Sequence, residues 1–81
     1  MPNEIVALTL VKVKPGKIKY VTNKLQFIKG VDEYFTVTGE FDIVIKISLQ
    51  SIEDLQPIID EIDQIEGVDD ISTHIVVKKY K

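Results

Sequence analysis

A six-residue stretch recurs 37 positions further along this chain. Ile28-Lys29-Gly30-Val31-Asp32-Glu33 returns as Ile65-Glu66-Gly67-Val68-Asp69-Asp70. At the same offset Ile18 maps to Leu55, Val21 to Ile58, Leu25 to Ile62 and Leu8 to Ile45. With 81 residues the chain has room for one domain, spanning residues 1–81. A repeat of this period divides that domain into two similar halves, and each half must supply the same elements in the same order.

Periodicity says what those elements are. Ile5 to Val13 reads as a strand, with Ile5, Ala7, Val11 and Val13 on one side and Val6, Leu8 and Leu10 on the other. A strand that is apolar on both sides is buried on both sides. Pro15-Gly16 is a turn. Lys17 to Lys29 reads as a helix, with Ile18, Val21, Leu25 and Ile28 on one stripe and Gly30 at its end. Val31 to Leu49 reads as a hairpin around Thr38-Gly39-Glu40. Its first strand alternates Val31, Glu33, Phe35 and Val37 with Asp32, Tyr34, Thr36 and Thr38. Its second strand places Phe41, Ile43, Ile45, Ile47 and Leu49 on one face. Ser51 to Ile65 reads as a second helix with Leu55, Ile58, Ile59, Ile62 and Ile65 inward. Its start is either Ser51 or Asp54 as N-cap, because Pro57 fits only within a first turn. Gly67 closes this helix, and Ile71 to Tyr80 reads as the last strand.

The order β-α-β-β-α-β with an internal repeat predicts a ferredoxin-like α+β fold: a four-stranded antiparallel sheet with two helices on one face. Two helices leave the other sheet face open. There the outward residues of the first strand meet Val44, Val76 and either Tyr34 or Phe35. An apolar patch of that kind predicts a homodimer or larger assembly with sheets packed on one another.

Composition narrows the function. There is no cysteine, which excludes disulfides and thiolate metal sites and fits the cytoplasm. Met1-Pro2-Asn3-Glu4 lacks the basic region of a signal peptide, and no run reaches the length of a membrane span. The net charge of −3 is unevenly distributed. Residues 1–30 carry six lysines and one acid, residues 31–70 twelve acids and one lysine, and residues 71–81 three lysines. Opposite charges either coat two solvated helix faces or meet in an assembly. All ten cationic side chains are lysines. The absence of arginine argues against direct nucleic-acid recognition.

Catalytic constellations are scarce. His74 is the only histidine and has no second ligand at metal spacing, so neither a metal nor another cofactor is expected. It reads as a sheet-face residue or as the wall of a ligand pocket. Asp42 reads as a strand-edge acid bonding the turn's own backbone or as the partner of a cationic ligand group. Glu40 reads as exposed, and Thr73 as a strand former or a pocket hydroxyl.

Several short motifs gain specificity in combination. They are Val37-Thr38-Gly39-Glu40-Phe41-Asp42, Ser72-Thr73-His74-Ile75-Val76, Val11-Lys12-Val13-Lys14-Pro15-Gly16 and Ile65-Glu66-Gly67-Val68. Together they resemble the effector-binding domain of the Lrp/AsnC, or feast/famine, transcription regulators over nearly the whole chain. The resemblance implies dimers paired through their sheets as in dimeric α/β barrels, rings of four dimers, and an amino acid bound between dimers. It implies one pocket wall from Gly39, Glu40, Phe41 and Asp42 and another from Thr73, His74 and Ile75. Asp42 would lie near the ligand's amino group. With the first strand starting at Ile5, the chain resembles the family's stand-alone modules, without a helix-turn-helix. Such a module is expected to modulate transcription or amino-acid metabolism, including by mixed assembly with full-length regulators, without binding DNA itself. Two other readings stand beside it: a structural assembly module without ligand, and a small enzyme of the dimeric α/β-barrel type using His74 or Asp42 as base.

Overall fold

The computed structural model describes residues 4–81. Met1, Pro2 and Asn3, which enter the signal-peptide reading above, lie outside the described residues. The elements are β1 (Ile5–Val13), α1 (Ile18–Leu25), β2 (Val31–Thr36), β3 (Ile43–Leu49), a 3-10 turn (Ile52–Asp54), α2 (Leu55–Asp63) and β4 (Val68–Ile75). The sheet order is β2-β3-β1-β4, and every neighbouring pair is antiparallel. Each half of the repeat contributes two strands that flank a strand of the other half. This interleaving is the ferredoxin-like fold the patterning predicts.

The core lies between one sheet face and the two helices. Ala7 and Val11 of β1 and Ile43, Ile45 and Ile47 of β3 meet Val21 and Leu25 of α1 and Ile58 and Ile62 of α2. Thr9 shares the buried face, and its hydroxyl lies 3.2 Å from the Thr73 hydroxyl on β4. A buried hydroxyl without a partner would be costly, so the pair removes a penalty from the middle of the sheet. The opposite face is open: Val6, Leu10 and Val44 are half-buried there, and Leu8 and Phe35 are exposed.

The repeat survives as a matched pair of exit turns. After α1 the Ile28 amide donates to the Leu25 carbonyl and the Val31 amide to the Ile28 carbonyl. After α2 the Ile65 amide donates to Ile62 and the Val68 amide to Ile65. These short-range bonds tighten each helix end, so the α-helices are shorter than the apolar stripes suggest. Ile28 and Ile65 still reach the core, but from the exit turn rather than from helix. Gly30 (φ +99) and Gly67 (φ +103) then turn the chain into a strand. A Cβ on Gly30 would stand 2.5 Å from Ile58 Cδ1 of α2, and one on Gly67 would stand 2.6 Å from Lys17 Cβ.

The structure corrects four details. The last strand is Val68–Ile75 rather than Ile71–Tyr80: the second exit turn starts it early, and the ladder to β1 runs out at Ile75. The hairpin connection is longer than a tight turn, because β3 begins at Ile43 and not Phe41. In β2, Val31 opposes Ile47 while Glu33 opposes Lys46, a bulge that changes the parity of the strand. Val31 and Tyr34 therefore both pack towards the core, while Phe35 takes the open face. Lastly, the repeat does not carry the same facing from β1 to β3. Leu8 lies on the open face, whereas Ile45 is fully buried opposite Thr9. Of the two expected caps only Ser51 acts through its side chain: it accepts from the Glu53 amide and opens the 3-10 turn, while Asp54 precedes α2 without a side-chain cap bond. Pro57 is the third residue of α2, where its missing N–H leaves no helical bond unmade.

Candidate functional site

Asp42 joins the hairpin to the end of β1. Its amide donates to the Val11 carbonyl at 2.9 Å, and its carbonyl accepts from the Val37 amide at 2.8 Å. Its carboxylate Oδ2 accepts from the Val13 amide at 2.8 Å. The side chain thus extends the β1–β3 ladder past the point where main-chain pairing stops at Val11–Ile43. This is the backbone-bonding role read from the sequence, although the partner is β1 rather than the turn itself. The other carboxylate oxygen makes no hydrogen bond among the described residues.

The connection above Asp42 offers unused donors. The amides of Gly39, Glu40 and Phe41 have no hydrogen-bond acceptor among the described residues. Gly39 has φ +124, and a Cβ there would meet nothing within 4 Å. Conformation, not crowding, is what glycine supplies at this position. Glu40 is exposed and Phe41 half-buried. A carboxylate oxygen suits an ammonium group, and unpaired amides suit a carboxylate.

The second group of expected residues divides between the sheet's two faces. Thr73 points to the helix side and bonds Thr9, with Ile75 on the same side opposite Ala7. His74 is on the open face, opposite Leu8, with its Nε2 3.0 Å from the Ser72 hydroxyl. β4 and β3 lie on opposite sides of β1, so within one subunit Gly39–Asp42 and Thr73–Ile75 are separate surfaces. None of the three main clefts among the described residues is lined by any of these seven. Sequence reasoning missed Thr9, whose signal was a single polar residue on the buried side of β1. Among the described residues no cluster of three or more His, Asp or Glu side chains could hold a metal. No described helix is long and apolar enough to cross a membrane.

Known proteins share this fold, and some share part of the sequence. The model of the Lrp/AsnC ligand binding domain matches residues 6–81. The transcriptional regulator FL11 of Pyrococcus furiosus is 39% identical over 77 residues, covering 95% of this chain and 51% of the regulator. A homocitrate synthase of Sulfurisphaera tokodaii is 34% identical over 79 residues, covering 96% of this chain but 17% of the synthase. Among solved structures, AsnC of E. coli superposes with a TM-score of 0.85 at 26% identity, covering 93% of this chain and 52% of that one. A transcriptional regulator from Neisseria meningitidis, determined in complex with L-Met, shares the fold with a TM-score of 0.86 at 20% identity, over 95% of this chain and 52% of that one.

The fold and the match define a ligand-binding domain of a transcription-regulator class. The chain belongs to the Lrp/AsnC family. It spans about half the length of the regulators it matches.

Proposed function

We propose that this domain binds a free amino acid between subunits and converts that binding into a change of assembly. The observation that carries the reading is the match of the family's ligand-binding domain to residues 6–81. The Asp42 carboxylate takes the ligand's ammonium, and the free amides of Gly39, Glu40 and Phe41 take its carboxylate. Thr73, His74 and Ile75 come from a neighbouring subunit, because one chain holds them apart from the turn. Dimers form through the open sheet faces, as in dimeric α/β barrels, and associate further, up to four dimers. The domain, residues 1–81, acts on transcription or amino-acid metabolism through its own assemblies or mixed ones with full-length regulators. It makes no DNA contact of its own, in keeping with ten lysines and no arginine.

The similar segment in homocitrate synthases supports an output that is not tied to DNA. It also supports a regulatory rather than catalytic role, since the segment is a minor part of that enzyme. Calorimetric titration with each of the twenty amino acids, paired with light scattering, tests the reading. Binding by a subset, with a shift in mass, is the expected outcome. No heat from any of them at millimolar concentration would remove the ligand and leave an assembly module.

A further inference from the structure

The repeat builds two corners alike and charges them oppositely. At the offset of 37, Lys17 maps to Asp54, Tyr20 to Pro57, Lys24 to Glu61 and Lys29 to Glu66. Lys17 and Asp54 hold the N-cap positions of α1 and α2. At the Gly67 corner the Lys17 stem fills the bend: its Cβ, Cγ and Cδ lie 2.6, 2.9 and 3.4 Å from where a Gly67 Cβ would stand. Its Nζ reaches Glu66 at 3.4 Å. The Tyr20 ring lies 5.7 Å from that ammonium and 5.4 Å from the ammonium of Lys24. The fold thus seats an alkyl ammonium at this corner from its own sequence. At the Gly30 corner the corresponding point meets Ile58 and no atom of Asp54. A cleft of about 470 Å³ remains there, lined by the apolar Leu49, Pro57 and Ile58 and by the charged Asp54, Glu61 and Lys29.

Spacing and charge say what the cleft takes. Asp54 and Glu61 are seven residues apart, so they share one face of α2, about 10 Å apart along its axis, with Pro57 and Ile58 between them. Among the described residues none of Asp54, Glu61 and Lys29 enters an ion pair. Glu61 also borders the adjoining cleft, which Lys24 lines as well. Two carboxylates against Lys29 leave the Gly30 cleft net negative. Asp54 and the neighbouring Glu53 outweigh the partial positive charge at the start of the helix. We propose that this cleft binds a linear aliphatic diamine about five carbons long, one ammonium at Asp54, the other at Glu61, and the alkyl chain over Pro57 and Ile58. The ligand supplies from outside the stem and the ammonium that Lys17 supplies at Gly67. Exposed ion pairs contribute little each, so two of them with one alkyl contact give millimolar affinity. The cleft lies at the start of β2 and the end of β3, whereas Gly39–Asp42 joins the other ends of those strands. The proposal therefore does not rest on the amino-acid reading.

The test is a titration of the full chain with cadaverine, followed by backbone amide chemical shifts, with circular dichroism to confirm folding of each variant. Saturable shifts at Gly30, Leu49 and Ile58 in the millimolar range are expected. Asp54→Asn with Glu61→Gln alters only exposed side chains. Its dissociation constant is expected to rise about tenfold or more. Lys29→Gln removes the cation of the cleft and is expected to tighten binding. Pentylamine, with a single ammonium, is expected to bind more weakly than cadaverine. Asp54→Lys with Lys29→Glu copies the charges of the Gly67 corner into the Gly30 corner and is expected to abolish binding, because the chain then fills the cleft itself. No saturable shift in the wild type, or an unchanged constant in D54N/E61Q, would overturn the site. Shifts confined to Gly39–Asp42 would overturn it as well and place the amine at the hairpin.

Discussion

Asp42 carries one observed bond and one proposed role, and substitutions can separate them. Oδ2 accepts from the Val13 amide, while the other oxygen makes no hydrogen bond among the described residues. Asp42→Asn keeps an acceptor for Val13 but loses the charge, so stability should stay within about 0.5 kcal/mol. Asp42→Ala leaves the Val13 amide without that acceptor and should cost about 1 kcal/mol in a urea titration. In calorimetry both variants should lose the amino acid. If Asp42→Asn bound as tightly as wild type, the carboxylate would be purely a β1–β3 joint. The glycine at position 30 offers a second separation. Gly30→Ala combines a left-handed φ with a methyl group driven against Ile58 Cδ1, and should cost about 2–4 kcal/mol. Ile58→Val deletes that Cδ1, so in the double variant the collision disappears and the backbone cost remains. Simple additivity in denaturant midpoints would show that the contact does not matter.

At the scale of elements, what was legible in the sequence was what one-dimensional periodicity can express. β1 is bounded as its pattern suggested, and the stripes of both helices face the core. The helix ends were misjudged because Ile28 and Ile65 continue the 3.6-residue rhythm while sitting on tighter turns. Nothing in a spacing distinguishes the last helical residue from a buried residue of an exit turn. The β2 bulge was illegible for a related reason. Asp32-Glu33 alternates properly with its neighbours, and only the register against β3 reveals the extra residue. For the candidate site, the hairpin connection was legible through Gly39 and Asp42. The division of Thr73 and Ile75 from His74 follows from strand pleat alone. One measurement checks the core side of the sheet: Ile45 is fully buried, and Ile45→Ala should cost about 2–5 kcal/mol by chemical denaturation. A cost below about 1 kcal/mol would mean that the face assignment is wrong.

The whole molecule has one finished face and one unfinished face. The helices cover the first, and Leu8, Leu10, Val44 and Phe35 occupy the second. If pairing completes the second face, folding and association are linked by mass action. The thermal midpoint of the wild-type chain should then rise with protein concentration, by several degrees between about 2 and 200 µM. Leu10→Asp should unfold at a lower midpoint that does not move with concentration. A wild-type midpoint indifferent to concentration would count against pairing in the folded state.

The two glycine corners carry a consequence for how this architecture can be divided. Gly30, in the first half of the repeat, is the socket for Ile58 of the second, and Gly67, in the second half, is the socket for Lys17 of the first. Each half also inserts a strand between the two strands of the other. Cut between the halves, neither fragment retains what fills its own corner, yet each carries what fills the other's. Two such fragments are complementary in the manner of clasped hands. A half-length chain would need a second molecule to close its corner, so partnership begins below the level of the subunit.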